Sequence, residues 1–167
     1  MRLLGRLSRA WPLLLGSTTL GLMSPAGCVQ IHGGAIEVSW AIFAPGGRAI
    51  TDCSCVDPEI VEMRLNLSSV DGTGTNPCGD RAECRFACGR KTGSTPFDIP
   101  PGRYAMWLSA LGADGADLEL APGFRSTPPS TWPVVWGQPT ELDALTIEAP
   151  CASVCNGQSM TQPCSRP

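Results

Sequence analysis

Cysteine is the residue type in this chain best able to do chemistry, and there are nine. Cys53-Ser54-Cys55 is a C-x-C pair, Cys84 and Cys88 are four apart, and so are Cys151 and Cys155; Cys78 and Cys164 complete a set of eight beyond Cys28. Thiolates spaced in this way have two uses. They can hold a borderline or soft ion such as Zn²⁺ or Cu⁺, or they can oxidise in pairs, which is the ordinary outcome in an oxidising compartment. The C-x-x-C spacing of zinc sites and thiol oxidoreductases occurs nowhere. Disulfides are therefore the expected state of Cys53, Cys55, Cys78, Cys84, Cys88, Cys151, Cys155 and Cys164. A periplasmic copper- or zinc-binding protein working through the C-x-C region is the alternative.

Other reactive groups are scarce. A hydroxyl or thiol nucleophile needs a placed base, yet the chain has one histidine, His32, and one lysine, Lys91, both in Gly-rich stretches that read as flexible. Asp114, Asp117 and Glu119 gather on one loop and read as a solvated hairpin tip, with weak Ca²⁺ binding the other use of such a cluster. No enzyme activity and no cofactor are expected. Trp40 fits a core strand, whereas Trp107, Trp132 and Trp136 form the candidate ligand surface, where exposed aromatic rings would meet an envelope protein or a glycan.

The compartment is written in the first 27 residues. Arg2, Arg6 and Arg9 give a positive start, the stretch from Ala10 to Met23 carries no charge, and small residues follow, which is the form of an export signal. A membrane-spanning helix needs about 18 consecutive apolar residues; this stretch has 14, broken by Pro12, Gly16 and Gly21. Ser24-Pro25-Ala26 satisfies the small-x-small rule for soluble secretion. Ala26-Gly27-Cys28 resembles the end of a bacterial lipoprotein box, which implies an acylated Cys28 at the mature N-terminus. Cysteine parity favours the second reading, because lipidation of Cys28 leaves an even eight to pair. Val29, where Asp is absent, resembles the pattern sorted to the outer membrane of Gram-negative cells.

Removing the signal also removes three arginines, leaving nine basic against fifteen acidic residues, a net charge of −6. Phosphate-backbone binding relies on clustered Lys and Arg, so nucleic acid is not an expected partner. The expected contacts are a membrane, through the lipid, and an envelope protein or glycan. Residues 28–34 read as a tether, 35–150 as one domain of a size able to bury a core, and 151–167 as a cysteine-containing tail.

Period-two alternation marks the elements that must position these groups. Ile36, Val38, Trp40 and Ile42 share one face of a first strand. Val61, Met63, Leu65 and Leu67 share a face of the second, and Cys84, Phe86 and Cys88 of a short third. Phe97 to Ile99 is a fourth candidate. The longest strand places Tyr104, Met106, Leu108 and Ala110 inward and Arg103, Trp107 and Ser109 outward. Leu118 and Leu120 suggest a return strand, and Trp132–Trp136 and Leu142–Ala149 the last two, with a bulge near Asp143 because Leu142 is out of phase with Leu145. Seven to eight strands without a helical pattern predict a disulfide-stabilised, Ig-like antiparallel β-sandwich.

Pro100-Pro101-Gly102-Arg103-Tyr104, with Val134-Val135-Trp136-Gly137-Gln138-Pro139-Thr140 about thirty residues later, resembles the PPGxY and VxxGxxT signatures of carboxypeptidase regulatory-like, or transthyretin-like, modules. The whole mature chain also resembles small cysteine-containing lipoproteins of the myxobacterial type. The resemblance implies a sandwich that binds, spaces or displays and does no catalysis; Tyr104 would enter the core and fasten a neighbouring loop with its hydroxyl. Cys53 and Cys55 fall before the second strand and Cys84 and Cys88 in or beside the third, while Cys151, Cys155 and Cys164 form a group that Cys78 could join. Two local bridges within each group are expected. At least one should join Cys53 or Cys55 to Cys84 or Cys88, since cysteines two apart on an extended strand lie roughly 6 to 7 Å from each other, too far for a relaxed bridge.

Overall fold

The computed structural model describes residues 31–72, 76–155 and 164; the signal segment and Cys28 lie outside them. Ten strands follow one another: β1 (Ala35–Phe43), β2 (Ala49–Ile50), β3 (Glu62–Ser69), β4 (Arg85–Ala87), β5 (Thr92–Ser94), β6 (Gly102–Leu111), β7 (Arg125–Ser126), β8 (Ser130–Val134), β9 (Pro139–Glu141) and β10 (Leu145–Glu148). Short 3₁₀ turns and loops join them, and no α-helix occurs among the described residues.

The strands form two sheets of a disulfide-stabilised all-β sandwich. One is antiparallel, in the order β4-β3-β6-β8, with β3 and β6 paired along eight residues from Glu62↔Leu111 to Ser69↔Tyr104. The other is built around β1, which pairs antiparallel with β2 and β5 but parallel with β9 and β10. Parallel pairing needs a crossover. Here the antiparallel sheet supplies it, since after β5 has paired with β1 the chain runs through β6 and β8 before β9 and β10 lie along β1.

Alternation maps onto the core directly. Ile36, Val38, Trp40 and Ile42 of β1 face Met63, Leu65 and Leu67 of β3 and Tyr104, Met106, Leu108 and Ala110 of β6 in one buried cluster. Val61, ahead of β3, is exposed instead. Asn66 and Ser109 break the polar-out rule, buried on the far face of their sheet, where Asn66 Nδ2 donates to Ser109 Oγ at 3.0 Å and so satisfies both.

Three strand expectations change. Phe97–Ile99 is a turn, because Pro96 and Pro100 on either side lack a donor and Asp98 N closes back on Pro96 O; the strand falls earlier, at β5, where Gly93 lets the Phe86 ring lie directly over its Cα. Leu118–Leu120 is a 3₁₀ turn capped by Asp117, whose carboxylate accepts from Glu119 N, so Leu118 is buried while Leu120 points to solvent. The last stretch is interrupted at Leu142–Ala144, so that β9 and β10 are separate strands that both lie along β1. The break resets the phase, and Leu142 and Leu145 both face inward.

Candidate functional site

The eight cysteines lie in four pairs: Cys53–Cys88, Cys55–Cys155, Cys78–Cys84 and Cys151–Cys164. The bridge from the C-x-C turn to the β4 region is present as Cys53–Cys88. Two local bridges per group are not. Cys55 crosses to Cys155, 100 residues away, and Cys78 closes a six-residue separation with Cys84 in place of joining the tail. The 3₁₀ turn at Cys53–Cys55 is the cause: neighbouring side chains on such a turn point to different sides, so one sulfur meets the segment after β4 and the other meets the C-terminal segment. That segment is brought in by backbone contacts, with Val56 bridging Cys151 and Ala152 N donating to Cys55 O at 2.8 Å. Cys155 and Cys164 are buried in the main core cluster, so these parts of residues 151–167 pack against the sandwich.

The three tryptophans of the candidate ligand surface do not share a face. Trp132 stands opposite Tyr104 on the core side of its sheet and packs partly against the core, its Nε1 donating to Ser130 Oγ at 2.8 Å. Trp107, three positions along β6 from Tyr104, occupies the outer side with Arg64 and Arg103. Trp136 lies in the turn after β8 and is 57% exposed. The PPG turn does hold the arrangement expected of it: Tyr104 is buried and its hydroxyl donates to Pro100 O at 2.9 Å.

The acidic loop is divided among separate tasks. Asp114 accepts from Ala116 N within its own turn, Asp117 pairs with Arg64 at 2.7 Å, and Glu119 accepts from the Ser126 hydroxyl. His32 is exposed, but its backbone is fastened, N donating to Phe97 O at 3.0 Å.

Two surface concavities lie on the sandwich, the first away from any motif in the sequence and the second beside the C-x-C pair. The first, about 460 Å³, covers the outer side of β1, β5 and β9, lined by Glu37, Ser39, Arg90, Thr92, Ser94 and Glu141; the carboxylates of Glu37 and Glu141 are register neighbours. Their meeting required the parallel pairing of distant strands. The second, about 500 Å³, lies between the Cys53–Cys55 turn and the loop after β4, with Asp52, Cys53, Glu59, Val61 and Cys88 in its wall.

Lys91 stands beside this second concavity and is held firmly, contrary to the flexible setting that its Gly-rich neighbours suggest. It has the left-handed backbone conformation, φ 60°, alone among the non-glycine described residues. Its N donates to Cys88 O at 3.3 Å and its O accepts from Trp40 N at 3.1 Å. The side chain folds back so that Nζ donates to Cys53 Sγ at 3.3 Å. Burial pushes the ammonium below the usual lysine range, with Asp52 opposing the shift.

Comparison of the chain with protein-family models, with curated proteins and with solved structures found no match.

Proposed function

We propose that this protein is a lipid-anchored, non-enzymatic β-sandwich of the bacterial cell envelope, held at the outer membrane by an acylated Cys28 and serving as a structural or partner-binding module of the carboxypeptidase regulatory-like kind. The observation that carries this reading is an apolar end on the sandwich where the chain enters it. Ile31, Phe97, Val135 and Trp136 are 42%, 36%, 45% and 57% exposed. They belong to three adjoining segments: His32 N donates to Phe97 O at 3.0 Å, Gly34 N to Ile99 O at 2.9 Å, and Gly137 N to Gly33 O at 3.0 Å. Cys28 precedes Ile31 by three residues, a reach of roughly 10 Å at full extension. A lipid on Cys28 would therefore hold this end against the bilayer, where an indole suits the headgroup region. The pairing of the other eight cysteines, which leaves Cys28 over, supports the same reading.

Expression with its own leader in a lipoprotein-competent bacterium is expected to give a mature protein carrying a lipid adduct by intact mass, lost in Cys28→Ala. In vesicles of brominated phosphatidylcholine, part of the tryptophan emission of the acylated protein should be quenched, and Trp136→Phe should remove that part. A mature chain beginning at Gly27 without an adduct overturns the anchor. Equal quenching in Trp136→Phe overturns the orientation.

A further inference from the structure

We infer that Cys53–Cys88 is a reversible thiol–disulfide exchange site, at which Lys91 stabilises Cys53 as a thiolate once the bond is reduced by a thiol. Position is the first support. Both cysteines lie in the wall of the concavity of about 500 Å³, and Cys53 is 7% exposed, whereas Cys55 and Cys155 are 0% and 1% and Cys78 and Cys84 both 0%. An incoming thiolate has room to approach this sulfur that it lacks at those two bridges; the fourth bridge, Cys151–Cys164, is partly exposed at Cys151 and also faces a cation, Arg48 Nη2 donating to Cys164 Sγ at 3.5 Å, so it serves as the internal comparison in the test.

The second support is the cation. Lys91 is the only lysine in a chain with eleven arginines, and its ammonium donates to a disulfide sulfur, a weak and uncharged acceptor. A thiolate at the same place would keep this hydrogen bond and add the attraction of opposite charges. Lys91 thus favours the reduced state over the oxidised one. A neighbouring lysine also lowers a thiol's pKa. The carboxylates facing the bond act against it: Asp52 caps the turn that carries Cys53, and Glu59 lies in the same wall.

The third support is that both ends stay in place without the bond. Cys88 is fixed by its N donating to Val61 O at 2.9 Å and by Trp40 Nε1 donating to its carbonyl at 3.2 Å. The Cys53–Cys55 turn is held by the Asp52 cap, by Cys55 N donating to Asp52 O at 2.9 Å, and by the Cys55–Cys155 bridge. Reduction leaves the Cys53 thiolate and the Cys88 thiol facing each other, ready to close again.

The electrons come from two thiols. One thiolate attacks Cys53 Sγ, forming a mixed disulfide and expelling the Cys88 sulfur, which takes a proton. A second thiolate attacks the outer sulfur of the mixed disulfide, forms a new disulfide with the first and expels Cys53 as the thiolate beside Lys91. Two thiols are oxidised, one disulfide is reduced, and of the two protons released one stays on Cys88 and one passes to solvent.

The test is partial reduction of the folded mature protein with dithiothreitol, followed by alkylation and peptide mapping. Cys53 and Cys88 should be labelled before Cys55, Cys155, Cys78 or Cys84, with the β-sheet circular dichroism unchanged. Lys91→Met, which keeps the backbone demand of the side chain, should slow alkylation of the reduced Cys53 about tenfold, because less of it is thiolate, and Lys91→Arg should recover part of the loss. Opening of the two buried bridges and of Cys151–Cys164 should be unaffected by either change. Labelling of Cys53 only together with Cys55 or Cys78 as the sheets melt, or equal rates in the native protein and Lys91→Met, overturns the inference.

Discussion

Replacing Cys55 and Cys155 together with alanine is expected to remove about 4 kcal/mol of unfolding free energy, against about 2 kcal/mol for the pair Cys78 and Cys84. The contrast comes from chain length. A cross-link stabilises largely by restricting the unfolded chain, and the restriction grows with the logarithm of the loop that it closes; the separations are 100 and 6 residues. Cys55–Cys155 also holds the C-terminal segment against the turn before β3, so its loss frees the backbone contacts at Val56 and Ala152. Guanidinium unfolding of the two double variants, followed by circular dichroism, measures both values. Equal losses, or a larger loss for Cys78 and Cys84, would show that the length of the closed loop does not set what these bridges contribute.

Trp40→Ala is expected to cost about 3 to 5 kcal/mol. Trp40 is 4% exposed in the middle of β1, and its ring stacks on Phe86 across the sandwich with centroids 6.2 Å apart. Alanine leaves a cavity between the sheets that neither rigid strand can close. It also strips the Nε1 donor from the Cys88 carbonyl. Trp40→Phe separates the two effects: it refills most of the space and leaves that carbonyl with the Lys91 N–H alone as its donor, for a loss of about 1 kcal/mol. Denaturant midpoints of the two variants decide the matter, and an alanine variant within about 1 kcal/mol of the native protein would mean that the ring does not join the sheets.

The apolar end and the exchange site make different demands on the chain. The first concerns Ile31, Phe97, Val135 and Trp136, whose exposure is unfavourable in water and which the proposed lipid anchor would hold at a bilayer. The second concerns Lys91, whose ammonium is half withdrawn from solvent beside a neutral sulfur. The residues involved in each are distinct, so Trp136→Phe and Lys91→Met can be combined, and their effects on quenching and on labelling should be independent.

By itself the sequence determined which residues face the core. Side chains alternate along a strand, so Met63, Leu65 and Leu67, or Tyr104, Met106, Leu108 and Ala110, declare their common side without reference to anything distant. A bridge from Cys53 or Cys55 to Cys84 or Cys88 was expected and is present as Cys53–Cys88, although the expectation rested on an extended C-x-C and the segment is a 3₁₀ turn. Local pattern failed where short-range hydrogen bonds compete with pairing: Asp117 drew Leu118–Leu120 into a capped turn, and Pro96 and Pro100 displaced the fourth strand to Thr92–Ser94. Tertiary structure decided everything that depends on which strands become neighbours. The parallel pairing of β1 with β9 and β10 unites Glu37 with Glu141. The 3₁₀ turn sends Cys55 to Cys155. The left-handed backbone at Lys91 returns its side chain to Cys53. Each of these contacts joins residues tens of positions apart through a change of chain direction, and such changes are set by the packing of the whole sandwich and by no pattern of neighbouring residues.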